Sequence, residues 1–424
     1  MCDTIAGELL LSFHKGDPAG AALVDDIRLE KIPHVRIIED LARRIGRIGL
    51  AIRDSIEFRF YRLSVPIGQE AYTINDLQLQ YKQAVLRELA KKCKVLRHSD
   101  ILYRPSHELQ VVPHSILSLS GSATGLPNVG FTFTKTHTEY KKLVGWSAPS
   151  PTATTKRVLV LDTGLDPCLQ LNMVSQKNFL DDGRLEDARD DHGHGTAVTS
   201  IIHDLCASAE FLIYKVADRN GRASEWDLLA ALAAQNGADL INISLAFGLP
   251  KRHCPVCGRE SRSSRSAVFE SMIHQLANAK DGPILIAAAG NDGENQLSFP
   301  ARFDALVAVS SVNLALELSR FSNRAAYDQD GEKHNNVFVL PGGETDARSS
   351  DPIEYVGKSS GEAKYFGTSF SAAYATGVIC ALWSQPLYSG GGRHALMHYL
   401  RSNAERALPH FNEFTHGNGL MRFR

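Results

Sequence analysis

From residue 156 onward, short continuous apolar runs alternate with stretches of helical periodicity. Val158-Leu159-Val160-Leu161 is apolar on both faces, which suits a strand buried within a parallel sheet. Comparable runs predict strands at 158–161, 210–216, 240–244, 284–288, 306–312 and 337–340. Between them, apolar positions recurring every three to four residues predict helices at 196–205, 225–236, 267–279, 371–384 and 393–407. Strands alternating with helices in this way define an α/β, doubly wound parallel sheet.

The first 146 residues read differently. A strand is predicted over 7–13. Val35, Ile38, Leu41, Ala42, Ile45 and Ile48 recur at helical spacing, with Arg43, Arg44 and Arg47 on the other side. A strand over 56–65 stops at Pro66. Leu77, Tyr81, Val85 and Leu89 mark an amphipathic helix capped by Asn75. Short strands follow at 95–103 and 109–112. The mixture describes a smaller α+β domain over 1–146, a small, polar, proline-bearing linker over 147–155, and the α/β domain over 156–424.

Composition removes several classes of function. The chain has 424 residues, a formal net charge of −1 and a hydrophobic share of 43%, so no global charge draws it to nucleic acid or anionic lipid. No apolar run approaches the roughly 20 residues that span a bilayer. The N-terminus carries acids and lacks a basic segment, and Leu9-Leu10-Leu11 is short for a secretory core. Seven scattered cysteines argue against a disulfide framework, and together these features predict a cytoplasmic location.

The chemistry gathers at four places. Asp162 ends an apolar strand in Asp162-Thr163-Gly164. His194, in Asp191-His192-Gly193-His194-Gly195-Thr196, stands just before an apolar helix. Ala288-Ala289-Gly290-Asn291 follows a third strand. Ser369, in Gly367-Thr368-Ser369, begins a helix of small residues, where unpaired backbone N–H groups stabilise a developing oxyanion. Taken singly, Asp162 reads as a turn former and Ser369 as a helix cap. Together and in this order, the segments resemble the signatures of the subtilisin-like serine peptidases, the subtilases.

The resemblance covers about residues 156–421 and implies a serine endopeptidase acting on proteins or peptides without a cofactor. It implies that Asp162 orients His194, that His194 takes the Ser369 proton, and that Asn291 and the Ser369 N–H hold the oxyanion. It assigns Ser244, Leu245 and Ala246 to the strand that pairs with substrate, with Ala246 and Phe247 where the family usually carries two glycines. Gly290 permits close backbone approach beside Asn291, and Ser298 lies at the back of the primary specificity pocket. His192 falls in the preceding loop. The N-terminal domain is expected to restrain or chaperone the enzyme, or to receive a regulatory protein partner. The rival reading is a catalytically silent module of the same fold that binds peptides without cutting them.

An insertion carries Cys254-Pro255-Val256-Cys257, half a zinc ligand set to which His253 adds a third group. A redox pair and a reduced surface loop are its other readings, and no metal is assigned. Asp181, Asp182 and Asp190 lack the spacing of a calcium loop and read as solvated.

Overall fold

The computed structural model describes residues 4–92, 109–119, 122–124, 131–133, 135–147, 154–167, 169–180, 184, 186–235, 237–247, 266–324, 333–344, 353–357, 361–386 and 392–423. The Cys254/Cys257 insertion, Asp181, Asp182 and the strand predicted at 95–103 lie outside these residues, as does most of the predicted linker.

The N-terminal unit contains β1 (Thr4–His14), α1 (Pro18–Arg28), β2 (Arg36–Asp40), α2 (Leu41–Arg47), β3 (Phe58–Ser64), α3 (Glu70–Lys92) and β4 (Gln110–Leu119). The single helix expected across Val35 to Ile48 is instead a strand followed by a helix. The strand β2 carries a register shift between Ile37 and Glu39, an extra residue that breaks period-two alternation and imitates helical spacing. The break itself is set by Asp40, whose carboxylate accepts the Ala42 N–H and caps α2. The helix α3 also begins five residues ahead of the Asn75 cap, with Glu70 accepting the Gly7 N–H.

Short strands β5 (Ser122–Thr124) and β6 (Phe131–Phe133) precede α4 (Lys135–Leu143). The following chain forms β7 (Arg157–Asp162), β8 (Asn172–Asn178), α5 (His194–Leu205), β9 (Glu210–Lys215), β10 (Arg222–Ser224), α6 (Glu225–Ala233), β11 (Leu240–Ile243), β12 (Leu245–Phe247), α7 (Ala267–Asn278) and β13 (Ile284–Ala288). It continues through β14 (Val307–Val312), β15 (Val337–Pro341), β16 (Ile353–Gly357), β17 (Gly361–Phe366), α8 (Thr368–Ser384), α9 (Gly392–Asn403) and α10 (Glu413–His416).

Seven strands make an all-parallel sheet in the order β15-β14-β13-β11-β7-β9-β8. Every residue of α8 is buried, so this helix sits within the core, and Ala372, Ala373, Ala375 and Gly377 keep it thin. Although the sequence places 135–143 with the N-terminal domain, α4 packs on the catalytic core. Tyr140 and Val144 are fully buried in the α5/α8 layer, and His137 bridges Tyr374 and Asp204.

The N-terminal sheet runs β10-β4-β1-β3-β2, with β12 also paired to β4. The first half of β4 pairs with β1, whereas its second half lies between β10 and β12. Leu10, Leu41, Ile45, Phe60 and Leu117 share one apolar cluster with Trp226, Leu229, Phe247 and Phe269. A polar cluster reinforces this contact: buried Arg44 donates to Glu39, to Asp227 and to the Phe179 carbonyl, and Trp226 Nε1 donates to Glu39.

Candidate active site

The end of β7 delivers Asp162, 1% exposed, into a set of short polar contacts. Its Oδ1 accepts the Thr163 N–H at 2.8 Å and lies 2.8 Å from His194 Nδ1. A carboxylate accepts only, so Nδ1 carries the proton and Nε2 keeps the lone pair that a general base needs. His194 opens α5, and its Nε2 has no hydrogen-bond partner among the described residues. The ring rests 5.3 Å from that of Phe370.

Asp190 binds these parts together. Its carboxylate accepts from Thr163 Oγ1, from the N–H groups of His192, Gly193 and Thr196, and from Thr196 Oγ1. It therefore ties the tip of β7 to the first turn of α5 and sets the separation of Asp162 from His194. The solvated reading of Asp190 is corrected on this point. The signal was present in the sequence as an Asp four residues ahead of His194, within reach of the unpaired donors of a helix start.

Ser369 lies in the first turn of α8, behind Gly367 at φ 146°, a backbone conformation that disfavours any side chain. Its Oγ donates to the Ser244 carbonyl at 3.1 Å, and Ser244 Oγ donates to the Ser369 carbonyl at 3.2 Å. Asn242 supports Ser244 through Nδ2 and accepts from Thr376 Oγ1 of α8, so the nucleophile helix is pinned to β11. Asn291 Oδ1 accepts the Thr368 N–H at 2.9 Å and Thr368 Oγ1 at 3.0 Å. The backbone donor fixes the amide orientation, which leaves Nδ2 as the group available to an oxyanion.

Sequence reasoning missed Asn323, which shapes the same loop. Its Oδ1 accepts the N–H groups of Asp292 and Glu294, and its Nδ2 donates to Ser298 Oγ at 3.0 Å. A Cβ on Gly290 would fall 2.4 Å from Asn323 Nδ2 and 2.5 Å from Ser298 Oγ, which explains the glycine. Ser298 is 1% exposed. His192 sits outside α5, half-buried, its ring 6.2 Å from that of His194, and burial lowers its pKa.

The substrate-strand residues Leu245, Ala246 and Phe247 are already paired, antiparallel, to Leu119, Ser118 and Leu117. On the other side of β4, Arg222, Ala223 and Ser224 pair with Ser118, Leu117 and Ile116. Further along, β5 pairs with β17, Ser122 opposite Phe366, three residues before the nucleophile. The N-terminal chain thus occupies the strand leaving Ser244 and the strand arriving at Ser369. Among the described residues, no three or more His, Cys, Asp or Glu side chains are grouped to hold a metal ion. No described helix is long and apolar enough to cross a membrane.

A parallel sheet with an aspartate, a histidine and a serine converging at strand and helix ends defines a hydrolase of the nucleophilic serine class. The profile of the subtilase family matches residues 155–419, and the chain belongs to this family of subtilisin-like serine endopeptidases. It is 31% identical over 250 residues to the major intracellular serine protease of Bacillus subtilis, covering 54% of this chain and 68% of that one. A thermostable alkaline protease of Halalkalibacterium halodurans is 29% identical over 39% of this chain and 44% of its own. An intracellular serine protease of Paenibacillus polymyxa is 26% identical over 53% and 66%. The chain therefore spans about two thirds of the length of two of these relatives and less than half of the other.

Proposed function

We propose that this protein hydrolyses peptide bonds in proteins through Asp162, His194 and Ser369, and that its N-terminal unit holds it in check. His194 Nε2 takes the Ser369 proton as Oγ attacks the scissile carbonyl, then delivers it to the leaving amine. Asp162 stabilises the imidazolium formed in between. Asn291 Nδ2 and the Ser369 N–H receive the oxyanion. The observation that carries this reading is the 2.8 Å contact of Asp162 with His194 Nδ1, which fixes the tautomer a base requires. The Ser369 hydroxyl, now on the Ser244 carbonyl, turns to His194 when substrate binds; such contacts tighten in the substrate complex. The intracellular names of two relatives support the same location for this chain.

Restraint follows from the pairing of β4. Extended substrate would bind by adding a strand between β10 and β12, and residues 116–119 hold that position. A fluorophosphonate probe tests the chemistry: the full chain should label, weakly while restrained, and Ser369→Ala should not label at all. Restraint is tested by a chain beginning at Lys135, which keeps α4 in its core contacts. It should hydrolyse peptides faster than the full chain. Equal rates, with both proteins folded by circular dichroism, would remove the restraint and leave the chemistry standing.

A further inference from the structure

The helices that carry base and nucleophile, α5 and α8, lie side by side, and their far ends hold a second reactive pair. A Cβ on Gly377 would lie 2.7 Å from the Leu205 Cβ, so glycine lets α8 approach the end of α5 closely. Beyond this crossing, Cys380 Sγ lies 3.0 Å from Sγ of Cys206, the residue that closes α5. Both are free thiols, fully buried, and 174 residues apart in sequence, which is why scattered spacing hides them.

We propose that Cys206 and Cys380 form a peroxide-oxidisable dithiol whose disulfide clamps the two catalytic helices together. A disulfide needs an S–S distance of about 2.05 Å, so the sulfurs close by about 1 Å. The two thiols are unequal. The Cys380 hydrogen bond, helped by Ser208 and Ser384, draws the Cys206 thiol below its ordinary value, whereas the same contact and burial push Cys380 well above. Cys206 is the attacking sulfur. Ser208 is half-buried with its Oγ 3.8 Å from Cys206 Sγ, and Ala207 is exposed, so only a thin layer separates the pair from solvent.

The step balances with a peroxide as oxidant. The Cys206 thiolate attacks one peroxide oxygen, the O–O bond breaks, and hydroxide leaves to take up the proton that Cys206 released. Cys380 then attacks the Cys206 sulfenic acid, the S–S bond forms, the S–O bond breaks, and the Cys380 proton leaves with the oxygen as water. Two thiols lose two electrons and peroxide becomes two waters. Ser369 and His194 stand at the opposite ends of both helices, so the clamp raises resistance to unfolding without entering the triad.

The full chain carrying Ser369→Ala, which prevents self-digestion, is exposed to dilute hydrogen peroxide and its free thiols are alkylated. Digestion without reductant and mass spectrometry should find the Cys206 peptide joined to the Cys380 peptide. Tm should rise by about 3 °C or more, because the bridge restricts the unfolded chain. Dithiothreitol should reverse both changes, and the added change Cys380→Ala should abolish both. Recovery of the two cysteines as alkylated peptides, linkage to other partners, or linkage without a reversible rise in Tm would overturn the clamp. The dithiothreitol reversal decides the matter in the parent protein even if Cys380→Ala fails to fold.

Discussion

In the seven-stranded sheet, the working residues stand at strand and helix ends, within a few positions of the glycines and hydroxyls that fix them. Asp162 is held by Thr163, and Ser369 follows Gly367 and Thr368. In the N-terminal sheet, the contacts that matter cross long stretches of chain: Arg44 meets Asp227, and Leu117 lies opposite Phe247. One region concentrates its chemistry locally. The other is defined only by what it is docked to. Catalysis should therefore fail through single residues, whereas restraint should loosen by degrees.

The largest effect is expected at the nucleophile. Ser369→Ala and His194→Ala should each lower kcat by about 10⁶, the scale established for the same two roles in subtilisin, a member of this family. The double variant should be no worse, because the pair acts as a unit; additive losses in steady-state peptide hydrolysis would break that view.

Next in size is the docked strand. Leu117 is fully buried among apolar groups, so Leu117→Asp places a carboxylate where several kcal/mol oppose it, and the full chain should gain about tenfold or more in peptide hydrolysis. The gain should vanish in the chain beginning at Lys135. Asp190→Ala strips acceptors from five donors, each unmet buried donor costing about 1–3 kcal/mol. Its Tm should fall and kcat with it, while probe labelling of Ser369 slows but persists.

A smaller effect separates two groups at the interface. His114 Nε2 accepts the Trp226 N–H, its Nδ1 donates to Glu8, and burial lowers its pKa from 6.5. The docked ring is neutral, so its contribution is lost as pH falls below that ordinary value. Glu225 accepts the Ser115 N–H and is pushed by burial from 4.5 up to about 7. Its docked form is protonated, so its contribution is lost as pH rises between those values. Dividing the activity of the full chain by that of the chain beginning at Lys135 removes the titration of the triad. In Glu225→Gln this ratio should rise only on acidification, and in His114→Gln only as pH rises from 4.5 towards about 7. The smallest effect is expected of His192→Ala, which should keep most of its activity, since no triad contact runs through His192.

The contrast also explains what could be read without coordinates. Buried parallel strands announce themselves as apolar runs, and the residues that bear on Ser369 lie in short segments of restricted type. The sheet and the positions of Asp162, His194, Asn291 and Ser369 were legible for that reason. Asn323 was not, because an asparagine satisfying two backbone donors in a loop leaves no pattern in one dimension. The strand β2 was hidden by its bulge. The strand β4 looked like any short segment because its partners, β10 and β12, lie more than a hundred residues away. The Cys206–Cys380 contact was invisible for the same reason.

The second half of β4 covers the hydrogen-bonding edges of both β10 and β12, and this shapes the life of the chain after restraint ends. Once it leaves, two strand edges lie open side by side, in a groove built to accept any extended chain. Open edges recruit other strands, including those of neighbouring copies and of unfolding protein. The unmasked enzyme is thus exposed to its own kind, by digestion where a segment fits the serine and by aggregation where it does not. Storage as the intact chain keeps that edge sealed, and the working lifetime of the protein begins when the seal is lost.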